Sequence, residues 1–120
     1  MNPIKNYKDL EIWQEGIELV GTVYKLTSTF PKDELYGLTS QMRRAAVSVP
    51  SNIAEGYARH HRPELRQFLY VSLGSLAELE TLSIVAARLG YIDANNFSTA
   101  VEQPLVRLRH KTLALLRCLR

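Results

Sequence analysis

In Gln41-Met42-Arg43-Arg44-Ala45-Ala46-Val47-Ser48-Val49-Pro50-Ser51-Asn52-Ile53-Ala54-Glu55-Gly56, the apolar residues Met42, Ala45, Val49 and Ile53 recur every three or four positions. That is the period of one face of an α-helix. The same face reaches back to Leu35 and Leu38 and on to Tyr57, which predicts a helix over about residues 34–60. Pro50 falls inside it, cannot donate to the carbonyl of Ala46, and should kink it. Opposite the apolar face, Arg44, Ser48, Asn52 with Ser51 beside it, Glu55 and Arg59 form a polar stripe. Asn52 or Ser51 is expected to satisfy backbone groups freed by Pro50, and Glu55 with Arg59 is a well-oriented i, i+4 pair.

The same period runs through the rest of the chain, with no sustained alternation of period two, so the whole reads as helical. A first helix over about residues 9–27 carries two apolar stripes, Leu10-Trp13-Ile17-Val20-Tyr24 and Ile12-Leu19-Val23-Leu26. That is more apolar surface than one amphipathic face needs. Pro31 then biases Phe30 away from helical geometry, and Asp33 is a suitable cap for the second helix. Arg62-Pro63 opens a third helix and Gly90 closes it in the left-handed conformation. Its apolar face is Leu65, Phe68, Leu69, Leu73, Leu76, Leu79, Ser83, Ile84 and Ala87. Asp93 caps a fourth helix with Phe97, Val101, Leu105, Leu108, Leu115 and Leu119, which Pro104 should kink or restart. Connections of a few residues force antiparallel neighbours, so the expected architecture is all-α: an up-down-up-down four-helix bundle in a single domain, residues 1–120. The surplus apolar surface on the first helix points to self-association.

A chain of 120 residues with 46% hydrophobic and 22% charged residues can bury roughly two thirds of its unfolded surface. The single Cys118 supports neither a disulfide framework nor a cysteine-based zinc site within one chain. The start has no signal-like apolar run, and the longest uncharged stretch, residues 67–77, is 11 residues long. These features lead to the expectation of a soluble cytoplasmic protein with no membrane segment. Net charge is +3, unevenly spread: residues 1–102 hold 10 Lys/Arg against 12 Asp/Glu, and residues 103–120 hold 5 against none. A second cluster, Arg59-His60-His61-Arg62-Pro63-Glu64-Leu65-Arg66, lies mid-chain. Such patches attract phosphate backbones by counterion release. They also serve simply to solvate a surface or complement a helix C-terminus.

The adjacent Arg43 and Arg44 admit two readings. Gly74-Ser75-Leu76-Ala77-Glu78-Leu79-Glu80 places two carboxylates on a largely apolar helix, and a carboxylate turned inward needs a partner. Either arginine is then expected to pair with Glu78 or Glu80. The other reading keeps a guanidinium free to fork a phosphate. Enzyme chemistry finds little footing, since there is no glycine-rich phosphate loop, no Gly-x-Ser-x-Gly elbow and no Glu-x-x-His pair of the di-iron bundles. His60, His61 and Glu64 on a polar turn are expected to be solvated and not to form a metal site, and no cofactor is expected.

Several segments together resemble a known family: Leu10-Glu11-Ile12-Trp13-Gln14, Tyr36-Gly37-Leu38-Thr39-Ser40-Gln41-Met42-Arg43-Arg44-Ala45-Ala46, Ser48-Val49-Pro50-Ser51-Asn52-Ile53-Ala54-Glu55-Gly56 and the Gly74–Glu80 segment. Over about residues 8–92 the chain is similar to the bacterial four-helix-bundle 23S ribosomal RNA intervening-sequence proteins. The resemblance implies a four-helix protomer in a homopentameric ring, akin to the accessory variability determinant proteins of diversity-generating retroelements, which are regarded as basic barrels that bind nucleic acid and a reverse transcriptase. The family name records a genetic location and fixes no biochemical role. His60-His61-Arg62-Pro63 and Pro104 depart from the family pattern.

Two functional classes follow. One is a non-enzymatic nucleic-acid-binding oligomer, for RNA or DNA and RNA first, in which a pentamer would carry about +15. Its candidate phosphate contacts are Arg59, Arg62, Arg66, Arg107, Arg109, Lys111 and Arg117, with Arg43 and Arg44 added; lacking a base-reading motif, it should bind by backbone or shape. The other is a scaffold or adaptor that recruits a protein partner with no direct nucleic-acid contact.

Overall fold

The computed structural model describes residues 6–120. Four long helices carry the fold: α1 (Glu11–Thr27), α2 (Leu38–Ala58), α3 (Arg62–Arg88) and α4 (Gln103–Cys118). They alternate in direction as an antiparallel four-helix bundle 44 × 25 × 22 Å in extent. No strand occurs among the described residues. Single helical turns lie at Tyr7–Asp9 and Lys32–Glu34, and a short one at Ala94–Asn96 leads into α4.

The core sits where one stripe from each helix converges: Leu19 and Val23 of α1, Met42, Val49 and Ile53 of α2, Leu69, Leu76 and Leu79 of α3, Leu105 and Leu108 of α4. Between α2 and α3 the side chains are small and the seam is tight. Ser72 Oγ donates to the Val49 carbonyl (3.0 Å). Asn52 Nδ2 donates to Ser48 Oγ (2.9 Å), Ser48 Oγ lies 2.7 Å from Ser75 Oγ, and Ser75 Oγ donates to the Val71 carbonyl (3.2 Å). Since a serine has one proton to give, the chain runs Asn52 to Ser48 to Ser75 to Val71. A β-carbon at Gly56 would lie 2.7 Å from Cβ of Phe68, so only glycine permits this approach of α2 to α3. Pro50 stays within an unbroken α2 and is buried against Gly16 of α1. Asn52 caps the Ser48 carbonyl (2.7 Å) and not that of Ala46, and Ser51 is exposed.

Several boundaries differ from those expected. Helix α2 starts at Leu38, four residues later than predicted, because Asp33 sits in the Lys32–Glu34 turn and Gly37 is the N-cap, with no side-chain cap bond. Leu35 is consequently 48% exposed instead of buried. On α3, Ile84 is 40% exposed and Ala86 takes the inward position. Gly90 has φ +84°, with Tyr91 N–H bonded to the Ala86 carbonyl and Gly90 N–H to that of Ala87, the Schellman closure of α3. Asp93 caps the following turn through Asn96 N–H (2.8 Å). From there Phe97–Glu102 forms a wider π-turn that accommodates Pro104, whose missing N–H falls in the first turn of α4, where it is tolerated.

Apolar side chains also remain outside. On the α1/α2 face Ile17 is 45% exposed, with Tyr24 and Val47 similarly open and Trp13 and Val20 half-buried beside them. On α3, Tyr70, Val71, Ile84, Val85 and Leu89 form a second outward row. By length and composition α3 is apolar enough to cross a membrane, yet Leu69, Leu76, Leu79 and Ala86 are sealed inside the bundle.

Candidate nucleic-acid interface

The candidate cations fall into three groups according to what the helices place opposite them. The first is on α4. Because α1 and α4 run antiparallel, Glu11 and Glu15, one turn apart, face Arg107 and Lys111, also one turn apart. Arg107 Nε donates to Glu15 (3.0 Å), and Lys111 Nζ donates to Glu11 (3.0 Å) and to Glu15. Arg109 bonds Glu80 of α3 (3.3 Å). Burial would raise the Glu15 carboxyl, whose side chain is 16% exposed, but the bonds and charges of Lys111 and Arg107 outweigh it and hold its pKa below the usual value. The hydrogen bonds to Glu15, then to Glu11, raise Lys111. Three of the five C-terminal cations are thus neutralised in place; Arg117 is exposed with no ion pair among the described residues.

The second group lies where α2 turns into α3. Arg59 bonds Glu55 (3.0 Å), lies 3.9 Å from Glu64, and stacks on Phe68 with its guanidinium carbon 5.3 Å from the ring centre. Arg62 and Arg66, in the first turns of α3, have no ion pair among the described residues. His60 takes φ +53° at the turn, a left-handed conformation in which a non-glycine residue is uncommon. The antiparallel topology puts the C-terminus of α2, the N-terminus of α3 and the C-terminus of α4 at one end of the bundle. Arg59, Arg62, Arg66 and Arg117 therefore share an end, whereas Arg107, Arg109 and Lys111 lie along a seam.

The third group, Arg43 and Arg44, does not make the expected pairs with Glu78 and Glu80. Arg43 Nε donates to Thr27 Oγ1 (2.9 Å), and its guanidinium carbon lies 4.5 Å from the centre of the Tyr24 ring. Glu80 goes to Arg109 instead. Arg44 is exposed and borders a small recess with Glu78 without an ion pair. The pairing fails because the α2–α3 seam is filled by small residues and hydroxyls, leaving Arg43 on the α1 side. Tyr24 and Tyr36, which line a groove with these arginines, went unread as site residues. Tyr24 fits a packing stripe, and Tyr36 opens one of the segments that carry the family resemblance without drawing a role of its own.

Among the described residues no group of three or more His, Cys, Asp or Glu side chains is placed to hold a metal, and Cys118 is exposed and free. Together the fold and its surface define a small antiparallel helical-bundle protein with one basic end and a seam of paired charges. The chain belongs to the 23S rRNA-intervening sequence protein family, whose model matches residues 8–106. Arg43, Arg44, Arg59, Arg62 and Arg66 lie within the matched span; Arg107, Arg109, Lys111 and Arg117 lie past it. No curated protein matches the chain.

Proposed function

We propose that the protein is a non-enzymatic cytoplasmic homo-oligomer that binds nucleic acid, RNA first, through phosphate-backbone contacts at the basic end of its bundle. The observation that carries this is the unpaired charge of Arg62, Arg66 and Arg117 at one end, set against the neutralised Arg107, Arg109 and Lys111. The N-terminus of the 27-residue α3 lies at the same end and adds its own partial positive charge. The exposed apolar side chains around Ile17 on α1 and the outward row of α3 support self-association, which would multiply the basic ends into one field. A pentameric ring, and kinship with the accessory variability determinant proteins, are the forms of this reading that the sequence resemblance implies.

The test is fluorescence anisotropy with labelled single- and double-stranded RNA and DNA across about 50–300 mM salt, with the mass in solution measured alongside. Binding by an oligomer with a steep negative salt slope is the expected result, each phosphate contact contributing about 0.7–0.9 to the slope. Binding that does not change with ionic strength would overturn it. The same exposed apolar rows favour a second reading, an adaptor that recruits a protein partner. In that case partner recovery survives nuclease and the free protein binds no nucleic acid even at low salt.

A further inference from the structure

We propose that the groove between the end of α1 and the start of α2 holds an unpaired nucleotide, its phosphate on Arg44 and its base on Tyr36. The inference adds a second contact, of a different kind, to the nucleic-acid reading above and rests on it for the ligand class. The groove is open to solvent, offers about 590 Å³, and no carboxylate lines it. Its lining includes the aromatic Tyr24 and Tyr36, the cationic Arg43 and Arg44, and the apolar Leu35 and Val47.

The cationic and aromatic residues are suited to the task in different ways. Arg43 is fixed: Nε is held by Thr27 Oγ1, whose own proton goes to the Val23 carbonyl (2.7 Å), and the guanidinium lies against Tyr24. Arg44, one residue on, is exposed and has no ion pair among the described residues. Glu78 stands in the recess on its other side, outside ion-pair distance, and Glu34 on the preceding turn accepts a hydrogen bond from Tyr91 (3.0 Å). Tyr36 is 94% exposed, a ring left in water at a turn where packing does not require it. A base in a duplex has both faces covered, whereas an unpaired base stacks on an open aromatic ring, and such stacking tolerates any sequence. Fixed and free guanidinium groups beside an open ring therefore fit single-stranded nucleic acid better than a duplex.

The experiment compares a fluorescein-labelled oligothymidylate of about ten nucleotides with an abasic strand of equal length, which keeps every phosphate and lacks the bases. For the full chain, about tenfold tighter binding of the base-bearing strand is expected. Tyr36→Ala should remove that preference and leave the abasic affinity unchanged, and Tyr36→Phe should retain it. Arg44→Ala should weaken both strands a few-fold. Equal affinity of the wild-type protein for the two strands overturns the proposal, as does a Tyr36→Ala variant that keeps the preference. If Tyr36→Ala instead lowers the mass in solution, a second copy of the chain fills the groove and the proposal is wrong. Reversing Arg62, Arg66 and Arg117 separates the two claims: retained affinity with retained base preference sinks the basic end and leaves the groove standing. Loss of affinity for both strands in equal measure, with no base preference beforehand, does the opposite.

Discussion

The seam between α1 and α4 and the turn between α2 and α3 both collect positive charge, and they differ in what faces them. Along α4, Arg107, Arg109 and Lys111 meet Glu11, Glu15 and Glu80 and are bound in place. At the α2–α3 turn Arg59 is paired, but Arg62 and Arg66 stand clear, with Arg117 at the same end. A run of like charges in sequence is thus not a patch in space. Whether it becomes one depends on which neighbouring helix the topology brings against it, and the densest basic run of this chain is the one most fully cancelled.

The largest expected effect comes from separating the two regions mechanically. Gly56→Val drives a branched side chain into Phe68 and Leu65, where even a β-carbon is 2.7 Å from Phe68 Cβ. It should destabilise the fold by about 3 kcal/mol, read as a lower urea midpoint. The disturbance should spread to the α2–α3 turn and its arginines and leave the α1–α4 pairs intact, which amide exchange would report. Glu15→Gln attacks the other region. It removes the carboxylate that both Arg107 and Lys111 share and should cost about 1 kcal/mol in urea unfolding. It also releases Arg107, while Lys111 keeps Glu11 as a partner, so nucleic-acid affinity should rise modestly with a slightly steeper salt slope. An unchanged slope would mean that the α1–α4 seam never reaches the ligand.

A smaller effect is titration. The Glu15 pKa is lowered in the folded state, so its stabilising contribution is present above its ordinary value near 4.5 and fades as the pH falls below that. Wild-type protein should therefore lose stability between about pH 5 and 3 more steeply than Glu15→Gln. Parallel urea titrations at several pH values check this, and identical pH profiles would show that the seam contributes nothing.

Much of the fold was legible because its signals are local. The Met42-Ala45-Val49-Ile53 period, the Gly90 stop and the Asp93 cap all act within a turn or two, and each lies where expected. The start of α2 was misread because Asp33 offered a good cap while Gly37, four residues on, holds the actual one. The site was less legible because charge pairing is a property of facing helices. Nothing near Arg107 in sequence announces Glu15, 92 positions away, and nothing near Arg43 announces Thr27 and Tyr24 as its partners in place of Glu78 or Glu80. The surplus apolar stripe on α1 was visible in sequence, and Ile17 and Tyr24 are indeed left outside.

The most direct test is the salt dependence of RNA binding for two charge-neutralised variants measured side by side, Arg62→Gln/Arg66→Gln/Arg117→Gln and Arg107→Gln/Arg109→Gln/Lys111→Gln. The first should lose about a hundredfold or more in affinity and reduce the slope of log K against log salt by about 2–3, while the second stays within a few-fold of wild type. If the second variant loses the binding and the first keeps it, or if neither changes the slope, the basic end is not the nucleic-acid interface.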